Sequence, residues 1–249
     1  PDFPLAYLGA LAAGLVPVPT SAALTAGEVA KIIETLRPAA ILRDETVACP
    51  DFDNTITLPA LREMRDLPAA EWHMGDPARR GYIIYTSGTS GKPSAVVHAH
   101  RAIWARRMMF DGWYGLNSTD RVLHAGAFNW TYTLGTGLMD PWSVGATGLI
   151  PMDGTDSAQM ARMLADHKAT IFAAAPGVYR KILNQTSQID LPHLRHGLSA
   201  GEKLSETIRD AWQTATDTAI YEAYGMSECS TFISCRPRHL SDSGVFCCP

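Results

Sequence analysis

The chain is short of charge. Of its 249 residues 18% are charged, and Lys plus Arg (21) fall below Asp plus Glu (25), for a formal net charge of −4. No basic stripe is available for nucleic acid, and that class of partner is set aside. Cysteine is sparse as well: five residues, at 49, 229, 235, 247 and 248, without a CxxC pair. An odd count without metal-like spacing argues for reduced thiols in a cytoplasmic protein and against a disulfide framework or a zinc module. The most apolar stretch near the start, 4–19 (PLAYLGALAAGLVPVP), is interrupted by Gly9, Gly14 and Pro17. It falls short of the ~18 residues of a membrane span and reads as a buried helix running into a strand. No basic segment precedes it, so neither a membrane anchor nor a signal peptide is expected. Internal repeats, low-complexity tracts and a G-x-S-x-G elbow are all missing, which removes repeat architectures and serine hydrolases. The first residue is Pro rather than Met, and the chain is expected to be part of a longer polypeptide.

What is present suits a soluble enzyme core. The hydrophobic fraction of 46%, with 20 Gly and 16 Pro, excludes disordered and fibrous chains. Short β-rich runs at 81–86 (GYIIYT), 121–125 (RVLHA), 147–151 (TGLIP), 170–174 (TIFAA), 194–199 (LRHGLS) and 218–224 (TAIYEAY) alternate with helical patterns. Those helices are expected at 101–114, at 157–167 with Met160, Met163 and Leu164 on one face, at 177–184, and at 205–214 with Ile208 and Trp212 on one face. Before them come a helix at 2–13, a strand at 15–19, a helix at 26–37 opened by a Thr25/Glu28 capping box, a strand at 39–43, and an irregular stretch 44–80 with a short helix at 58–65. Strand-helix alternation of this kind implies right-handed crossovers and parallel sheets. The expected fold is α/β, two stacked βαβ lobes with mostly parallel sheets. Turn chemistry at 115–120 (GLNSTD) places the lobe boundary there, giving a first lobe 1–116 and a second 117–249.

The segment 85–96 (YTSGTSGKPSAV) carries the most chemistry. Gly88 and Gly91 let the backbone curl so that N–H groups converge; Thr86, Ser87, Thr89 and Ser90 add hydroxyl donors, and Lys92 adds positive charge. Such a loop can wrap a polyphosphate, although the same residues also suit a ligand-free Ser/Gly hairpin. It is not a Walker A loop, because Pro93 follows Gly91-Lys92 and Thr86 stands where the first glycine belongs.

YTSGTSGKP resembles the signature of the adenylate-forming (AMP-binding) superfamily, in which this loop closes over the β- and γ-phosphates of ATP. The usual Lys-Gly after the proline is Ser94-Ala95 here, so the share of the charge carried by Lys92 departs from the pattern. Residues 221–228 (YEAYGMSE) are similar to the superfamily's Y-G-x-T-E segment. The resemblance implies Tyr224 stacking on adenine beside Glu222, Ala223 and Gly225, Ser227 bonding the α-phosphate, and Glu228 holding Mg²⁺, with Ser227 and Glu228 as the catalytic pair. A strand end with a solvated Glu is the plainer alternative. Residues 198–204 (LSAGEKL) are similar to the family's adenine turn and would flank the purine with Gly201, Glu202 and Lys203; an ordinary strand-to-helix turn is the alternative.

The resemblance covers essentially the whole chain, and all its motifs stand in the family's order. It places the carboxylate pocket at 126–137 (GAFNWTYTLGTG), with Phe128, Asn129, Trp130 and Tyr132 as its wall, pointing toward the benzoate-CoA or medium-chain branch. His98 and His100 are two residues apart on an expected strand, but no third metal ligand is evident. The implied activity is ATP-dependent ligation of a small carboxylate to coenzyme A through an acyl-adenylate, with ATP, Mg²⁺ and CoA as cofactors. No nucleic acid or membrane partner is implied, and a homodimer is left open. A carrier-protein-loading adenylation domain and a non-catalytic nucleotide-binding relative remain as alternatives. The family's T-G-D segment, hinge and C-terminal domain are not in these 249 residues, so the isolated chain is expected to show little or no adenylation.

Overall fold

A computed structural model describes residues 2–86, 94–152, 154–185 and 188–234, the last strand (230–233) by its backbone only. The chain divides into two units, Pro1–Ala99 and His100–Pro249.

In the first unit α1 (Asp2–Ala12) buries Pro4, Tyr7 and Leu11 at helical spacing. Its Asp2 carboxylate takes Arg62 at 2.8 Å and Arg65 at 2.7 Å. The helix α2 (Ala26–Leu36) opens on the expected capping box, with Thr25 N–H donating to Glu28 at 2.8 Å and Glu28 N–H donating back to Thr25 Oγ1 at 3.3 Å. Strand β1 (Ile41–Arg43) pairs in parallel with β2 (Thr55–Thr57), which runs into α3 (Leu58–Glu63). Strands β3 (Arg80–Thr86) and β4 (Ser94–Ala99) form an antiparallel pair, braced by Tyr82 stacked on His98 with centroids 4.6 Å apart.

Two local expectations change in this unit. Residues 15–19 form no strand; a single ladder-like bond, Ile83 N–H to the Pro17 carbonyl at 3.1 Å, is all they contribute. Pro17 and Pro19 have no N–H, so alternate donors are missing from any ladder. Strand β4, in contrast, begins three residues inside the segment 85–96 that reads as loop and continues through Val97 and His98, on the stretch where a strand is expected.

The second unit opens on a helical run whose pitch changes twice: α4 (Arg101–Ala105), a 3-10 turn (Arg106–Met109) and a π turn (Phe110–Tyr114), stopped by Gly115 at φ 59°. Phe110, Trp113, Tyr114 and Leu116 pack into this unit's core. Then follow β5 (Arg121–His124), α5 (Thr131–Leu134), a second π turn (Gly135–Met139), α6 (Asp140–Ser143), β6 (Thr147–Leu149), α7 (Ser157–Asp166), β7 (Ile171–Ala174), α8 (Pro176–Leu183), β8 (His196–Ser199), α9 (Glu206–Thr216), β9 (Ile220–Met226) and β10 (Ser230–Ser234).

The six strands lie in the order β10-β9-β8-β7-β5-β6; all pairs are parallel except β9 with β10. Both faces are covered. One carries α7, α8 and α9 through Met160, Leu164, Tyr179, Ile182 and Trp212. The other carries the 106–116 run on Val122, Ile171, Ala173 and Leu198. The fold is therefore α/β, with a mostly parallel sheet wound on both sides. From β5 the chain moves outward to β6, then returns across β5 to β7, and this reversal makes the β5/β7 gap a topological switch point.

Candidate functional site

Parallel strands put all their carboxyl ends on one edge, and open α/β sheets bind ligands outside that edge at the switch point. The second unit brings most of the expected residues there. Phe128 and Asn129 sit half-buried in the turn just after β5, and Trp130, 64% exposed, precedes α5. Tyr132, on the first turn of α5, lies edge-on to His124 at 4.4 Å and stacks on Trp113 at 6.1 Å. Its hydroxyl donates to the Leu198 carbonyl at 3.0 Å, and burial pushes its pKa up, so it stays protonated.

Two strands further along, at about 4.8 Å per strand, the turn after β8 leaves the edge. Gly201 adopts φ 99°, and open space surrounds the position where a Cβ would stand. Glu202 and Lys203 are exposed, whereas Ala200 and Leu204 are buried on either side. Glu222 closes this turn. It stands opposite Ser199 in the β8/β9 ladder, and its carboxylate accepts the Leu204 N–H at 2.7 Å. Its other oxygen takes Arg209 of α9 at 3.0 Å. Glu222 thus spends its carboxylate on the chain around the turn. Ala223 is buried in the core on the other face. Tyr224 is exposed at the strand end, Gly225 is half-buried, and Ser227 and Glu228 occupy the turn from β9 to β10.

Thr86 ends β3 in the first unit, opposite Ser94, with its hydroxyl 3.4 Å from the Ser94 carbonyl. Ser87, Gly88, Thr89, Ser90, Gly91 and Lys92 lie outside the described residues.

The residues on this edge suit a flat ring and a phosphate-bound cation. An exposed glycine turn at positive φ lets a planar group approach the backbone, and the exposed Glu228 carboxylate is in none of the ion pairs among the described residues. Among those residues no group of three or more His, Cys, Asp or Glu gathers to hold a metal. No helix among them is long and apolar enough to cross a membrane.

Beneath the edge lies a polar core that no sequence signal announced. Arg106 donates to Asp140 through Nε at 2.7 Å and Nη2 at 2.6 Å, and the Tyr114 hydroxyl donates to the same carboxylate at 2.6 Å. The Tyr114 hydroxyl also meets Thr136 Oγ1 at 2.7 Å, which links the two π turns, and such turns often mark functional sites. Arg106 also explains Gly135, since any Cβ there would overlap its guanidinium. Beside it His124 is 4% exposed; burial first, then the Arg106 charge, lower its pKa to about 3.

The comparisons agree with this geometry. The 3-hydroxybenzoate/4-hydroxybenzoate–CoA ligase of Thauera aromatica is 33% identical over 159 residues, 63% of this chain and 30% of that protein. The 3-hydroxybenzoate–CoA ligase of Aromatoleum sp. (strain CIB) is 30% identical over 154 residues, 61% of this chain and 29% of that protein. Human mitochondrial acyl-coenzyme A synthetase ACSM2A is 30% identical over 148 residues, 59% and 26% of the two chains. Among solved structures, the anthranilate CoA ligase AuaEII in complex with anthranoyl-AMP superposes with a TM-score of 0.84 at 24% identity, covering 93% of this chain and 48% of that one. A benzoate CoA ligase from Burkholderia xenovorans LB400 gives 0.82 at 25%, covering 94% and 50%. The chain thus spans about half of these solved neighbours and 26–30% of the curated relatives. Residues 1–245 match the family described as AMP-binding enzyme, and the chain belongs to that family.

Proposed function

We propose that this chain is the ATP-binding part of an acid–thiol ligase. A carboxylate oxygen attacks the α-phosphorus of ATP and expels pyrophosphate; the thiol of coenzyme A then attacks the acyl carbon and releases AMP. The observation that carries this reading is the placement of the SAGEK turn and the YGMSE segment at neighbouring strand ends, beside the aromatic segment 128–132 at the switch point. Joining two anions calls for alignment and charge neutralisation more than for acid–base chemistry. The 201–203 backbone and the Tyr224 ring suit adenine, Ser227 the α-phosphate, and the loop 86–92 the outer phosphates. Glu228 would hold Mg²⁺, which would supply the charge neutralisation. The aromatic wall of Phe128, Trp130 and Tyr132 suits a flat ring, and the hydroxybenzoate, benzoate and anthranilate ligases among the similar proteins favour an aryl carboxylate over a medium-chain acid. A cytoplasmic enzyme fits the reduced thiols.

Carboxylate-dependent pyrophosphate release by the intact protein, measured across benzoates and medium-chain acids with and without CoA, tests the proposal. Release with a CoA thioester as product is expected. An adenylate passed to a pantetheinyl carrier protein but not to CoA would move the acceptor assignment, and nucleotide binding without any release would leave a non-catalytic relative.

A further inference from the structure

The turn 199–204 has three attachments beyond the sheet, and one of them starts in the carboxylate pocket. The β8 ladder ends at Ser199, paired with Ala174 on one side and Glu222 on the other. After it the backbone runs through Gly201 at φ 99° and is caught again at Leu204 by Glu222. Just before the ladder ends, the Leu198 carbonyl is approached from both faces of the sheet. From the α8 side the Tyr179 hydroxyl lies 3.0 Å away and shares its proton with the Phe172 carbonyl at 2.8 Å. From the α5 side comes Tyr132 at 3.0 Å. The two tyrosines differ in surroundings. Tyr179 is fully buried, whereas Tyr132 is half-buried, on the first turn of α5, two residues after the exposed Trp130.

Tyr132 stacks on Trp113 and lies edge-on to His124, and its hydroxyl ties it to Leu198 at the root of the turn.

Resting on the ligase reading above, we propose that Tyr132 is a positioning residue that couples the carboxylate pocket to the nucleotide turn. Filling the pocket orders the turn and tightens nucleotide binding, and nucleotide tightens carboxylate binding by the same factor. One neutral hydrogen bond sets the scale, about two- to tenfold.

The test uses the intact protein with Tyr132→Phe, which keeps the ring and removes the strut. Calorimetry measures MgATP affinity with and without benzoate, using throughout the α,β-methylene analogue of ATP that cannot release pyrophosphate, and amide exchange is followed across 199–204. In the unaltered protein benzoate is expected to strengthen MgATP binding by about two- to tenfold. In Tyr132→Phe that enhancement is lost and exchange across 199–204 quickens at least threefold, on the order of one lost hydrogen bond, while exchange in α7 stays as it was. Glu222→Ala, which frees the other end of the turn, is expected to quicken the same amides. Unchanged exchange in Tyr132→Phe, or enhancement that survives while only benzoate affinity falls, reduces Tyr132 to a pocket wall and overturns the proposal. Unaltered protein that binds both ligands without mutual enhancement defeats the coupling alone; failure to bind MgATP at all defeats the ligase reading and the coupling with it.

Discussion

Arg106 and Asp140 face each other through two hydrogen bonds of 2.7 and 2.6 Å, with the guanidinium 4% and the carboxylate 1% exposed. The pair joins the 3-10 turn after α4 to the first residue of α6. A buried ion pair of this kind is held at a large desolvation cost, so its worth shows when one partner is removed.

Asp140→Ala leaves Arg106 charged and unpaired in the core. The expected loss is about 3–5 kcal/mol, read as a lowered urea midpoint. The double replacement Arg106→Met with Asp140→Leu is expected to recover most of it, since no stranded charge remains.

His124 makes the stability of the second unit sensitive to acid. Burial, aided by the Arg106 charge, holds its folded pKa at about 3 against a reference value of 6.5. The unfolded chain therefore binds a proton that the fold refuses. The contribution of the neutral ring is complete above pH 6.5 and declines as the pH falls toward 3, reaching about 2 kcal/mol lost at pH 5. Denaturation at pH 7.5 and pH 5 is expected to show a smaller difference in His124→Leu; an equal difference in both proteins would remove His124 as the cause.

Gly201→Ala tests the turn after β8, assigned to adenine on the ligase reading, without crowding anything, because the Cβ would enter open space. The cost comes from the φ of 99° alone, about 1–2 kcal/mol. Weaker MgATP binding with an unchanged far-ultraviolet spectrum is the expected result.

Glu228→Gln keeps the shape of the turn after β9 and removes its charge. On the ligase reading the rate of pyrophosphate release falls at least about tenfold, partly restored by raised Mg²⁺. Trp130→Ala, by contrast, is expected to raise the KM for benzoates and leave that for ATP unchanged.

Much of the second unit was legible in the residues. The β-branched and aromatic runs at 121–125, 170–174 and 218–224 became β5, β7 and β9 within two residues at either end. Met160 with Leu164, and Trp212, faced the core as their spacing required. Less legible were strands that owe their existence to a partner. Strand β2 is three residues long and forms against β1, and β4 begins within a segment whose composition says loop. Residues 15–19 failed in the opposite sense, apolar enough for a strand but stripped of donors by proline.

Local sequence determined most elements of the second unit and the glycine turn after β8, because propensity, capping and turn chemistry act over a few residues. Only the tertiary structure decided that Glu222 closes the turn at Leu204, that Tyr132 reaches Leu198 across 66 positions, and that Arg106 finds Asp140. Those contacts follow from strand order and crossover direction. A carboxylate or a hydroxyl carries no mark of its partner until the sheet brings the two within hydrogen-bond range.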